Sequence, residues 1–238
     1  LLRDCPATAV LAARIVKAVE RASGGRVPVT AKMRLGWDPE HMVAPDLARR
    51  LADVGIAAVT VHGRYTVQFF SGQADWDAIG RVVEAVPSIP IIGNGDLLTP
   101  WDLQKRREET CVRSFLVARG ALKKPWIFQE LAEGRALDPD LAGRWAVMRR
   151  YFELACEHFG DDEKGLERVQ RFFLWHLKFW HRYHPWTEAD HAEHWPESLM
   201  QARNPNPVGE PDTILLGSPD EADHLVIWQR VLDQDFPS

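Results

Sequence analysis

Cysteine is scarce in this sequence: three in 238 residues, at Cys5, Cys111 and Cys156. An odd number, widely spaced, excludes a disulfide framework and offers no ligand-like cluster, so no metal is expected. A reduced compartment is the natural setting, and we expect a cytoplasmic protein. Long apolar runs are also missing. None approaches the ~20 residues that a membrane helix needs, so no membrane partner is expected. No signal peptide, no low-complexity tract and no glycine-rich dinucleotide fingerprint is visible. Acidic residues are plentiful enough to give a net charge of −5, yet none occurs between Arg168 and Thr187.

What is present repeats. Four short apolar runs each end in a polar or basic residue and then a glycine. Val29-Thr30-Ala31 leads into Lys32-Met33-Arg34-Leu35-Gly36, and Ala57 to Val61 into His62-Gly63-Arg64. Ile89 to Ile92 leads into Gly93-Asn94-Gly95-Asp96, and Phe115 to Val117 into Ala118-Arg119-Gly120. Lys32, His62, Asn94 and Arg119 are 30, 32 and 25 residues apart. That is the length of one βα unit in an eightfold barrel of about 250 residues. In parallel α/β folds the carboxyl ends of the strands are where ligands bind. Glycine there lets backbone approach a ligand, although Asn and Asp beside it equally suit a tight βα turn.

Helical periodicity fills the intervals: Ala7 to Ala22, Asp46 to Gly55, Trp76 to Val86, Pro100 to Glu109 and Pro125 to Glu133. Thr99 and Pro100 form a good N-cap and first helical position. Four units make half of a (β/α)8 barrel. We therefore expect an α/β fold: the C-terminal half of a TIM barrel over residues 1–134, lacking its N-terminal half, then an all-helical domain over 135–238. A small open sheet, complete in itself, is the structural alternative. In the second region, Leu141 to Phe159 and Glu163 to Tyr183 read as long helices. A loop follows from Pro185 to Gly217, and a last helix opens at Ser218 with Glu221 completing a capping box.

In the second long helix Lys164, Arg168, Arg171, Lys178 and Arg182 recur at steps of four, three, seven and four, with Trp175 on the same line. Those steps put them on one face. A basic stripe holding an aromatic suits a phosphate backbone, while an ordinary solvated face would mix in acids. Phe172, Phe173, Phe179 and Trp180 are assigned to the core.

The segments "VTAKMRLGWD", "VTVHGRYTVQFFSGQADW", "IPIIGNGDLLTP" and "ARGALKKPWIF", in this order and spacing, resemble the tRNA-dihydrouridine synthase family. "RRYFELACEHFG" and "RFFLWHLKFWHRY" are similar to its branch acting on the variable-loop uridine. The resemblance implies a flavin barrel with a helical tail that reduces a tRNA uridine to 5,6-dihydrouridine, with FMN as cofactor and NADPH as reductant. It implies that Lys32 and His62 contact the flavin. Asn94, Gly95 and Asp96, with Ala118 and Arg119, would hold its phosphate. Arg34 and Arg64 would face tRNA along with the basic stripe. The family's proton-donor cysteine matches none of Cys5, Cys111 or Cys156, so it is expected in a preceding half and this chain alone is expected to be inactive. "TCVRSFLV" and Ala118 depart from the family's usual lead into the last strand. Two alternatives stay open: another FMN-dependent barrel oxidoreductase, or a truncated RNA-binding paralogue without catalysis.

Overall fold

A computed structural model describes residues 1–235. They divide into two compact units, Leu1–Ala118 with His191–Gln201, and Arg119–Asp190 with the residues from Ala202 onward.

The first unit is built on four parallel strands in the order β1 (Thr30–Arg34), β2 (Ala58–His62), β3 (Ile91–Asn94), β4 (Ser114–Leu116). The helices are α1 (Cys5–Ser23), α2 (Ala44–Asp53), α3 (Trp76–Ala85) and α4 (Pro100–Thr110). Each begins where its sequence favours a start. Asp4 and Asp75 cap α1 and α3 with side-chain oxygens that accept from Ala7 and Ala78 N–H. Thr99 and Asp102 form a reciprocal capping box on α4, with Pro100 at the first turn, as its sequence predicts.

Strand periodicity sorts the side chains. Met33, Val59, Val61 and Ile91 lie in the core with Leu47, Leu51, Ile79 and Val82 of the helices. Their alternates face the other way and include Lys32, Arg34, Thr60, His62 and Asn94. Register aligns Arg34, His62, Asn94 and Leu116 in one row across all four strands. A slip by one residue would exchange Val59 and Val61 with Thr60 and His62, forfeiting about 1.5–3 kcal/mol per valine, so the register is firmly set.

The strands differ slightly from their sequence assignment. Arg34, His62 and Asn94 are the last residues of their strands and Lys32 lies inside β1, so none of them is the first residue beyond a strand. Their amides are held in the ladder, which fixes where their side chains project.

The second unit is helical: α5 (Arg119–Lys123), α6 (Ile127–Glu133), α7 (Leu141–Phe159) and α8 (Glu163–Trp180), then α10 (Pro211–Leu216) and α11 (Glu221–Leu232). Between α8 and α10 runs α9 (Glu188–His194), across the sequence position where the units divide. Trp145, Met148, Val169, Phe173, Leu177, Trp180, Ile227 and Val231 form this unit's core.

Three local expectations need correction. The stretch expected as a loop contains α9 and α10, and Thr187 and Asp190 cap α9 reciprocally. The last helix starts at Glu221 without the Ser218–Glu221 box, because Ser218 Oγ donates to Asp223 instead. Phe172, assigned to the core, is 43% exposed and stacks on Phe159. No helix among the described residues is long and apolar enough to cross a membrane.

Candidate functional site at the strand ends

The row Arg34–His62–Asn94 ends beside a buried polar network. Its centre is Arg64, whose side chain is fully buried. Its Nη2 donates to Asp96 Oδ2 at 2.6 Å and to the Gly72 carbonyl at 2.5 Å. Its Nε donates to the Ser71 carbonyl at 3.3 Å, and its Nη1 to His62 Nε2 at 3.2 Å. A guanidinium has no lone pair to offer, so His62 Nε2 must accept and the ring proton sits on Nδ1. Burial, helped by Arg34, Lys32 and Arg64, lowers the His62 pKa to about 4 against the opposing pull of Asp96. His62 is therefore a neutral ring with one remaining donor.

Asp96 is equally committed. Besides Arg64, its Oδ2 accepts from Ala74 N–H at 2.8 Å, and its Oδ1 accepts from Gln201 Nε2 at 3.0 Å. Its backbone carbonyl accepts from Ser198 Oγ at 2.8 Å. A left-handed φ of 52° is the conformation these bonds hold. Asn94 donates from Nδ2 to the Leu116 carbonyl at 2.7 Å, tying β3 to β4.

The two glycines around Asn94 answer to packing. A Cβ on Gly93 would lie 2.5 Å from Trp76, whose indole N–H donates to the Gly95 carbonyl. Gly95 has φ 134°, and a Cβ there would lie 2.5 Å from Ala74 and 3.3 Å from the His62 ring. Close approach is needed, but within the protein.

Lys32 is exposed, on the same sheet face as His62, and partial desolvation with the neighbouring Arg34 lowers its pKa. Arg34 is half-buried and donates to the carbonyls of Tyr65 and Phe69, each at 2.8 Å. It anchors the segment that carries Phe69, which is 73% exposed.

The structure thus brings together Lys32, Arg34, His62, Arg64, Asn94, Gly95 and Asp96 in one unit. Two expected roles change. Arg64 cannot face RNA, because its guanidinium is enclosed and four of its five N–H groups meet protein acceptors. Asp96 carries a negative charge already shared with Arg64 and Gln201, so its side chain is no phosphate ligand. Ala118, exposed, ends the first unit, and Arg119, half-buried, opens α5 of the second.

In the second unit Lys164, Arg168, Arg171, Trp175, Lys178 and Arg182 are all exposed. They lie opposite the buried face of α8, which carries Val169, Phe173, Leu177 and Trp180. Lys178 is paired with Glu221 of α11 at 2.8 Å, an exposed pair of little energetic weight.

Sequence reasoning missed His191, Trp195, Ser198 and Gln201. His191 Nε2 lies 3.3 Å from Asp102, and Trp195 lies under the Arg106 guanidinium at 4.2 Å. The Thr187-x-x-Asp190 box, a helix-start signal, was the available clue.

The family model described as dihydrouridine synthase matches residues 6–205. A tRNA-dihydrouridine(47) synthase of Eremothecium gossypii is 34% identical over 229 residues, covering 88% of this chain and 34% of its own length. That of Kluyveromyces lactis is 36% identical over 217 residues, covering 84% and 32%. A human protein named as tRNA-dihydrouridine(47) synthase-like is 40% identical over 159 residues, covering 67% and 24%. The chain spans about a third of the length of the curated relatives it matches. With a family match running from α1 past the returning segment, the chain belongs to the dihydrouridine synthase family.

Proposed function

We propose that this chain is the C-terminal half of a flavin-binding TIM barrel, residues 1–134, joined to a helical tRNA-binding domain, residues 135–238. The protein it serves reduces a uridine of tRNA to 5,6-dihydrouridine with NADPH. The observation that carries this is the sheet face bearing Lys32 beside a neutral His62. Bound FMN would supply the hydride chemistry.

The residues present fit that cofactor in part. Lys32 is an accessible cation, suited to the N1/O2 edge of a ring that becomes anionic on reduction. His62 offers one N–H, from Nδ1, to a carbonyl or ring nitrogen, and its neutrality keeps it from acting as an acid near pH 7. The proton delivered to uracil C5 must come from another group. For the phosphate, the Asp96 side chain is spent on protein contacts, and Asn94 Nδ2 already donates to the Leu116 carbonyl. The proposal there rests on the backbone of the Asn94–Asp96 loop, on Ala118 and on the charge of Arg119. Arg34 orders the Tyr65–Phe69 segment, which carries the exposed Phe69.

For tRNA, Lys164, Arg168, Arg171, Lys178 and Arg182 would meet phosphates, and Trp175 would stack on an unpaired base. The names of the relatives support the substrate class and a nicotinamide coenzyme, given in those names as NAD(P)(+). The purified protein should be yellow and release FMN, not FAD, on denaturation. Lys32→Ala should weaken flavin binding. A colourless protein that takes up no added FMN would end the proposal.

A further inference from the structure

We infer that the returning segment His191–Gln201 sets the chemistry of His62 without touching it. Ser198 and Gln201 fix Asp96, Asp96 fixes Arg64, and Arg64 imposes the Nδ1–H tautomer on His62. These four are positioning residues for one imidazole.

The chain of contacts is continuous: Gln201, Asp96, Arg64 and His62 are linked side chain to side chain, and Ser198 holds the Asp96 backbone carbonyl. Gln201 and Ser198 take the Oδ1 and the carbonyl of Asp96, leaving Oδ2 to Arg64 and Ala74 N–H. Asp96 in turn orients the guanidinium so that Nη1 points at His62 Nε2. Turning the ring over would put Cε1 in place of Nε2 at Arg64 Nη1 and lose that bond. The segment itself is anchored independently: Leu199 is fully buried, Ser198 is buried, and His191 is held at Asp102. Lys32 and Arg34 add positive potential around His62, which opposes a second ring proton.

A donor fixed at Nδ1 can meet only an acceptor on that side, so this relay would choose which edge of a bound ring His62 reads. That consequence rests on the function proposed above, whereas the tautomer does not. The relay thus couples residues near the end of the family match to a strand-end residue some 140 positions earlier, within one compact unit.

Nitrogen NMR of the whole chain, labelled with 15N-histidine and without added flavin or RNA, tests this. In the unaltered protein His62 should show a pyrrole-like Nδ1 and a pyridine-like Nε2, constant across the neutral range. Ser198→Ala combined with Gln201→Met removes the donors while nearly keeping volume. Both His62 nitrogens should then move toward intermediate shifts as the tautomers exchange. His176 and His224, held at the carbonyls of Leu122 and Ser218, serve as internal controls and should not move. Arg64→Lys, which keeps the charge but loses the fork, should shift His62 in the same direction. A proton on Nε2, or an imidazolium at neutral pH, in the unaltered protein would overturn the relay. So would a double variant whose His62 signals stay at the unaltered positions, or one that shifts all three histidines alike. Because the unaltered protein alone can decide, poor folding of a variant does not protect the idea. Loss of flavin binding leaves it standing.

Discussion

Arg64 and Arg171 are the same residue type in opposite circumstances. Arg64 lies at the strand ends with its side chain fully buried and its donors assigned to a carboxylate, two carbonyls and a histidine. Arg171 lies on the outer face of α8, exposed among other bases. The buried charge is a structural element whose ligand is already inside the protein. The exposed one presents its charge to solvent. The difference explains why one network can shape a site while the other can supply only affinity, and it orders the expected effects of substitution.

Breaking the buried pair should have the largest effect. Asp96→Ala would strand the Arg64 guanidinium without a carboxylate, at a cost of about 3–5 kcal/mol, and a urea unfolding curve should show it. A loss below ~1 kcal/mol would mean that Arg64 finds solvent, and the contrast with Arg171 would collapse. Next comes Gly93→Ala. Its new methyl would meet Trp76, so overpacking should cost about 1–3 kcal/mol by the same measurement. A neutral result would show that the Trp76 indole has room to move.

Proton linkage at His62 should be smaller but has a definite sign. Its folded pKa of about 4 lies below the ordinary 6.5, so the unfolded chain binds a proton that the folded chain refuses. Stability is full above pH 6.5 and falls as pH drops toward 4. His181, with a pKa also lowered to about 4 by burial and Arg182, acts in the same direction. Unfolding followed through this window should show the decline, and His62→Gln should make it shallower.

The smallest effect on stability, and the sharpest on binding, belongs to the stripe. Arg171→Ala with Lys178→Ala should change unfolding by no more than ~0.5 kcal/mol. The same pair should flatten the dependence of tRNA affinity on log salt by up to about one unit per lost contact. Lys178 is also paired with Glu221, so Glu221→Gln should leave the slope steep, or steepen it. A double variant whose salt line overlays the unaltered one would remove RNA from the account of α8.

The sequence made much of this visible, unevenly. Strand ends were legible because apolar runs stop near Lys32, His62 and Asn94, although the register aligns Arg34, not Lys32, with the other two. The stripe was legible because helical spacing places residues by arithmetic. Burial of Arg64 was not. His-Gly-Arg reads the same whether its arginine faces water or Asp96, and the partner lies 32 residues on. The returning segment was hidden for a similar reason. Ser198 and Gln201 reach Asp96 across 102 and 105 residues, from a stretch whose Pro, Asn and Gly suggested loop. Gly95 illustrates a subtler limit: it was read as letting backbone approach a ligand, whereas the atoms that a Cβ there would meet belong to Ala74 and His62.

The central claim is that the strand ends serve a flavin that reduces uridine in tRNA. The most direct test is a single turnover without oxygen. The protein as it occurs in the cell, loaded with FMN and reduced by NADPH, is mixed with an unmodified tRNA transcript, and flavin absorbance and dihydrouridine are followed together. The account predicts that oxidised-flavin absorbance returns mole for mole as dihydrouridine appears, and that Lys32→Ala slows both. Reduced flavin that persists in the presence of tRNA, with no dihydrouridine formed, would contradict it.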